Sequence, residues 1–172
     1  MEIYTNALTI VDREALVIRV FGYTSNGLPG LEIIGLGNYS KLIKEKIVFL
    51  LRSQSLKVPL ARYVIGVETN RFLKPESSQF LELPIMLLYL VLSNNISMVG
   101  LDRCLCGGHL SSNRMITEFD YLKYLSHQES HYTILCSSNT LPSDYRTISL
   151  GEVFDNKISF TISSRNESFD HH

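Results

Sequence analysis

Thiols are scarce in this chain. Cys104, Cys106 and Cys136 are its three cysteines, an odd count that fits reduced thiols in a cytoplasm and not a disulfide framework. Long apolar runs are absent too. The longest, Leu83 to Leu92, falls well short of the roughly 20 residues a membrane span needs, so no membrane partner is expected. The opening Met1-Glu2-Ile3-Tyr4 carries neither the basic region nor the apolar stretch of an export signal. There is no G-x-x-x-x-G-K-[ST], H-E-x-x-H, C-x-x-C or G-x-S-x-G, which sets aside NTPase, zincin, thioredoxin-like and α/β-hydrolase chemistry. Internal repeats and low-complexity tracts are missing as well.

What is present is a chain of 172 residues, 45% apolar and 19% charged. That is enough for one domain with a real core, and it excludes disorder and collagen-like repeats. The net charge of −1 hides an asymmetry. Lys41, Lys44, Lys46, Arg52, Lys57 and Arg62 face one acid, Glu45, between residues 41 and 62, whereas acids outnumber bases from Glu118 onward. The basic stretch reads either as an anion-facing surface or as a solvated helix face.

Strand and helix periods divide the chain. Ala7–Val11 and Ala15–Tyr23 predict a hairpin around Asp12-Arg13-Glu14, with Leu16, Ile18 and Val20 on one face of the second strand. Asn26 to Gly30 is a loop, Leu31–Leu36 a strand broken by Gly37-Asn38. Ile43, Ile47, Leu50 and Leu51 recur at helical spacing over 40–54. Arg62–Val67 predicts a strand, Asn70–Ser78 an irregular polar segment, and Leu83–Leu92 a helix buried on all sides, Pro84 being tolerated in its first turn. Further on, the expectations are a strand over Arg103–Leu110, a turn at Ser111-Ser112-Asn113, and a helix over Glu118–His127 with Thr117 as N-cap. A strand over Tyr132–Cys136, a short helix over Ser149–Asp155 and a last strand over Ile158–Ile162 complete them. The mixture predicts an α+β domain with a mixed sheet over residues 1–162, followed by a polar tail over 163–172 in which His171-His172 is set aside as a tag remnant.

Two segments go beyond generic patterning. One is Gly27-Leu28-Pro29-Gly30-Leu31-Glu32-Ile33-Ile34-Gly35-Leu36 with the Lys/Glu-bearing helix after Ser40; the other is the strand Tyr63–Val67, a polar loop, then Leu83-Pro84-Ile85. In order and spacing they resemble the N-terminal domain of the magnesium-chelatase-subunit-like family that includes the competence protein ComM. That family shows G-L-P-x-F-x-I-V-G-L, a helix with K-E-S-R-E-R, then G-S-A-F-D-L-P-I-A. The resemblance covers about residues 1–160 and implies a Lon-protease-like α+β fold. It also implies an AAA+ module beside such a domain, and a role in DNA processing.

The resemblance raises the question of a Lon-type Ser–Lys pair, in which a lysine takes the proton of the serine nucleophile. Counting back from Leu83-Pro84 without a gap puts Gln79 at the nucleophile position; one inserted residue puts Ser78 there, with Phe80 on the family phenylalanine. Lys123 is the candidate base. Ser77 and Gln79 replace the glycines that let a substrate approach an oxyanion hole, and the competence-type relatives lack the lysine as well. The expectation is therefore no catalysis, no cofactor and no metal, and a protein partner, either an AAA+ module or a second copy. The alternatives are a divergent Ser–Lys peptidase built on Ser78 and Lys123, and a nucleic-acid-binding accessory domain using Lys41, Lys44 and Arg52.

Three other patterns are weak. In Gly35-Leu36-Gly37 the third glycine of a dinucleotide loop is replaced by Ser40, which leaves a tight strand-to-helix turn. Cys104 and Cys106 would share a strand face with His109 on the other, which suits buried thiols better than a four-ligand zinc site. His127 and His131, with Asp120 nearby, have no nucleophile at a recognisable spacing and read as exposed.

Overall fold

The computed structural model describes residues 1–126, 129, 131–137, 141 and 144–164. Chain order runs β1 (Glu2–Val11), β2 (Glu14–Ser25), β3 (Gly30–Ile34), α1 (Tyr39–Ser53), β4 (Arg62–Glu68), α2 (Pro75–Ser78), α3 (Glu82–Leu92), β5 (Cys104–Cys106), β6 (Gly108–Leu110), β7 (Met115–Glu118), α4 (Tyr121–Tyr124), β8 (Thr133–Cys136), β9 (Arg146–Ser149), α5 (Leu150–Phe154) and β10 (Thr161–Ser164). The strands form a seven-stranded mixed sheet in the order β3-β4-β2-β1-β5-β8-β9 and a three-stranded sheet in the order β10-β7-β6. The class is mixed α+β, with helices packed on mixed sheets.

The hairpin forms as expected, but its loop is the two residues Asp12-Arg13, because Val11 pairs with Glu14. Both take left-handed conformations, φ 51° and 68°, the backbone twist that a two-residue hairpin demands. β3 and β4 run parallel, so the chain must cross over between them, and α1 is that crossover. β3 stops at Ile34, short of the expected Leu36. Gly35 turns the chain at φ +97°, and a Cβ there would stand 2.6 Å from the Val67 carbonyl oxygen, a position open only to glycine. α1 buries Ile43, Ile47, Leu50 and Leu51 and turns Lys41, Lys44, Glu45 and Arg52 to solvent.

α3 is buried along almost its whole length, packed against β1, β2, β4 and β6. The helical rod starts earlier than expected, at Pro75, where a missing N–H costs nothing in a first turn. Residues 75–78 are therefore helical, not irregular. The rod tightens to 3₁₀ geometry over Gln79–Leu81. Pro84 lies just beyond and has no N–H to give the Phe80 carbonyl.

The second half departs further from the sequence reading. The single strand expected over Arg103–Leu110 is two, β5 in the large sheet and β6 in the small one. Gly107 makes the corner. Its N–H donates to the Tyr121 hydroxyl at 2.8 Å, its carbonyl accepts the Phe119 N–H at 3.0 Å, and a Cβ would run into the Leu8 carbonyl. No helix starts at Glu118 with Thr117 as cap. Both residues belong to β7, paired with β6 and β10; the helix is the single turn α4, capped by Asp120, whose Oδ1 accepts the Lys123 N–H at 3.3 Å. The sequence reading has no strand at Arg146–Ser149, where β9 pairs with β8. The last strand lies at Thr161–Ser164, not Ile158–Ile162, because β10 takes its register from β7. His127 and residues 165–172 lie outside the described residues.

Candidate functional site

The most elaborate polar cluster centres on Glu82, at the start of α3 and fully buried at 0% exposure. Its Oε2 accepts the Tyr39 hydroxyl at 2.7 Å. Lys46 Nζ donates to both carboxylate oxygens, at 2.9 and 3.0 Å, and the Leu110 N–H reaches Oε1 at 2.9 Å. Nδ1 of His109 stands 3.1 Å from Oε1 but off the direction a hydrogen bond requires. Tyr39 and Lys46 lie two turns apart on one side of α1, and β6 brings His109 and Leu110 from the small sheet. One carboxylate thus joins α1, α3 and β6.

Burial by itself would raise the Glu82 carboxyl; His109, Lys46 and Tyr39 outweigh it and hold it below its ordinary range. The Tyr39 phenol is pushed up by its own burial and by the carboxylate it donates to. An ionised carboxylate offers about four lone-pair directions, and the three donors, one of them shared between both oxygens, occupy them. Such a group is a strut. It has no oxygen left to take a proton from a substrate.

The sequence reading did not single out Glu82. The signal was present as one acid at the head of an apolar run, and as Tyr39 and Lys46 at a two-turn spacing.

Ser78 and Lys123, the candidates of the alternative Ser–Lys reading, have different partners. Ser78 is at 0% exposure and its Oγ donates to the Leu73 carbonyl at 3.5 Å. Next to it, Ser77 Oγ donates to the Ile10 carbonyl at 2.5 Å and the Ser77 carbonyl accepts Thr9 Oγ1 at 2.5 Å, so this turn is bolted to β1. Gln79 is half-buried and donates to the Glu76 carbonyl. Lys123 is exposed on α4, its ammonium 5.2 Å from the Tyr124 ring centre. No hydrogen bond links it to Ser78 among the described residues.

The basic trio is split. Lys41 and Lys44 line an open cleft of about 560 Å³ together with Arg62. Arg52 borders a second cleft, of about 420 Å³, beside Leu56 and Tyr89; of the other two cations Lys44 lines it too and Lys41 does not. Cys104 and Cys106 are both buried, while His109 belongs to β6 in the other sheet, so the shared-strand geometry expected for the three does not exist. Burial, with Asp102 adding to it, raises the Cys104 thiol to about 11, and burial pushes Cys106 further up. Among the described residues no group of three or more His, Cys, Asp or Glu is placed to hold a metal ion. His131 is exposed against the Tyr132 ring, and Asp120 serves as the α4 cap.

A second buried carboxylate, Glu118 at 4% exposure, accepts the Ser137 N–H at 2.6 Å and the Ser137 hydroxyl at 2.9 Å. Burial pushes its carboxyl up, and the two Ser137 bonds only partly oppose that. It stands beside the corner at Gly107, where the Tyr121 hydroxyl also donates toward the Leu135 carbonyl at 3.2 Å.

No family model matches this chain, and no curated protein matches it. None of the described helices is long and apolar enough to cross a membrane.

Proposed function

We propose that this chain is a non-catalytic Lon-like interaction or assembly domain, similar to the N-terminal domain of the ComM-type proteins, acting beside an AAA+ motor in cytoplasmic DNA processing. The observation that carries this reading is Ser78: fully buried and bonded to the Leu73 carbonyl, it offers a peptide no hydroxyl, and a serine without an adjacent base is a poor nucleophile. The Glu82 cluster adds support. Lys46 closes Lys44-Glu45-Lys46 where the family helix has R-E-R, and Glu82 precedes Leu83-Pro84 where the family has Asp before L-P. The two segments that carry the resemblance are the two that this ion pair ties together.

The test is activity. The chain is incubated with unfolded casein and, separately, with a fluorophosphonate probe, with Ser78→Ala as control. Intact casein and no labelling are expected. Cleavage or labelling that disappears in Ser78→Ala would overturn the reading and promote the Ser–Lys peptidase.

A further inference from the structure

We propose that the groove between β3 and α1 binds an extended acidic peptide segment of a partner protein as an added strand on the β3 edge. The proposal rests on the assembly reading and gives that assembly a surface. β3 ends the order of the large sheet, so among the described residues one side of it has no neighbouring strand. The Gly30 N–H donates to the Ala61 carbonyl at 3.0 Å. Gly30, Glu32 and Ile34 therefore turn their backbone groups toward β4, and by strand alternation Leu31 and Ile33 turn theirs to the open side. A cleft of about 560 Å³ is lined by the chain from Leu28 to Ile33 together with Ser40, Lys41 and Lys44 of α1 and Arg62 of β4. A row of N–H and C=O groups on an open edge is a template for another strand.

The walls give the partner its chemistry. Lys41 and Lys44, one turn apart on α1, are exposed and have no ion pair among the described residues. Across the cleft Arg62 is already matched by Glu32 at 2.5 Å, so the net field in the groove is positive. Leu28, at 89% exposure, offers an apolar contact at the mouth. A peptide alternating acidic and apolar residues satisfies all three features: its backbone meets Leu31 and Ile33, its carboxylates meet the two lysines, and its apolar side chains meet Leu28. A phosphate ligand would use the lysines alone and leave the strand edge and Leu28 idle. Among the described residues no aromatic side chain lines the cleft, and Tyr39, at the start of α1, is tied to Glu82, so bases find no stacking platform there.

The test uses the full chain and a fluorescein-labelled peptide in which Glu and Val alternate, followed by anisotropy. Saturable binding is expected, with slowed amide exchange at Leu31 and Ile33. Lys41→Glu with Lys44→Glu should weaken it by about tenfold or more, the scale on which reversed charges disturb a charged partner. A peptide with Lys in place of Glu should not bind, and one methylated on alternate backbone nitrogens should bind worse. Failure of the Glu-Val peptide to bind, equal binding of the Lys version, or indifference to the double variant would each overturn the proposal. So would a DNA oligonucleotide that binds through the same lysines and displaces the peptide without protecting Leu31 and Ile33. A domain that leaves casein intact yet ignores the peptide loses this groove and keeps the assembly reading. One that cleaves casein loses the assembly reading whatever the peptide does.

Discussion

Lys46 and Glu82 stand at different depths, and depth decides what each substitution does. Lys46→Met strands a carboxylate with no exposure at all, which should cost about 3–5 kcal/mol. Glu82→Gln should cost less, since the Lys46 side chain keeps 16% exposure and can turn to water. In urea melts the double variant should lose less than the sum of the singles, as contacting residues do; strict additivity would mean that the pair does not act as a unit. The pH dependence follows from the sign of each shift. Glu82 is held below its ordinary value near 4.5, so its contribution is in place above that pH and fades as the pH falls through the lower folded value. Glu118 is raised, so its contribution runs the other way, favourable in acid and lost as the pH rises through the raised value. The stability gap between the unmodified chain and Glu82→Gln should therefore narrow on going from about pH 7 to about pH 3; a gap constant across that range would count against an ionised Glu82. The thiols give a simpler test. Cys104, Cys106 and Cys136 are buried, so an aromatic disulfide reagent should titrate them only after denaturant is added. Composition anticipated reduced thiols. It said nothing of Glu118, which acts on the Cys106 thiol, because pairing across elements depends on the fold and not on local spacing.

At the scale of elements, α3 is the test of the core. Leu87 and Leu88 are both at 0% exposure, and replacing either by Ala should cost about 2–5 kcal/mol; a near-neutral denaturation midpoint for either would remove α3 from the core. This helix and α1 were legible in the sequence because each carries an apolar pattern over three turns or more. So was the β1–β2 hairpin, whose strands are long and whose turn is local. The second half was not. Strands such as Cys104–Cys106 and Gly108–Leu110 are too short to show a period, and what separates them is a single glycine wedged against the Leu8 carbonyl. Thr117 with Glu118 looks like a helix start in sequence, yet Ile116 and Glu118 point inward as β7 does, and Asp120 takes over as cap. The nucleophile position was ambiguous for a related reason. Whether Ser78 or Gln79 counted depended on an insertion, and the structure buries the first and half-buries the second. Gly107→Ala is expected to lower the denaturation midpoint far more than Gly151→Ala, whose added Cβ would meet only the Ser149 hydroxyl at 3.5 Å.

At the scale of the molecule, the two sheets are joined where the chain passes from β5 to β6, and Glu82 ties that passage to α1. β1 is the middle strand of the large sheet, with β2 on one side and β5 on the other. Asn6 and Ala7 take Leu105 and Cys106 as their partners, across most of the chain. Synthesis on a ribosome is vectorial, so this distance is also a delay. β1, β2, β3, α1, β4 and α3 all emerge before the strand that closes the flank of β1. A nascent chain arrested at Ser93 holds the half-sheet β3-β4-β2-β1, in which β1 is an edge strand bare along one side, and Ala7 and Leu8, sealed in the finished protein, lie on that strand. Such a chain is expected to self-associate or to recruit a chaperone, and release past Cys106 should end that exposure. Truncation series stopped at Ser93 and at Ser111, compared by sedimentation, would read the difference directly.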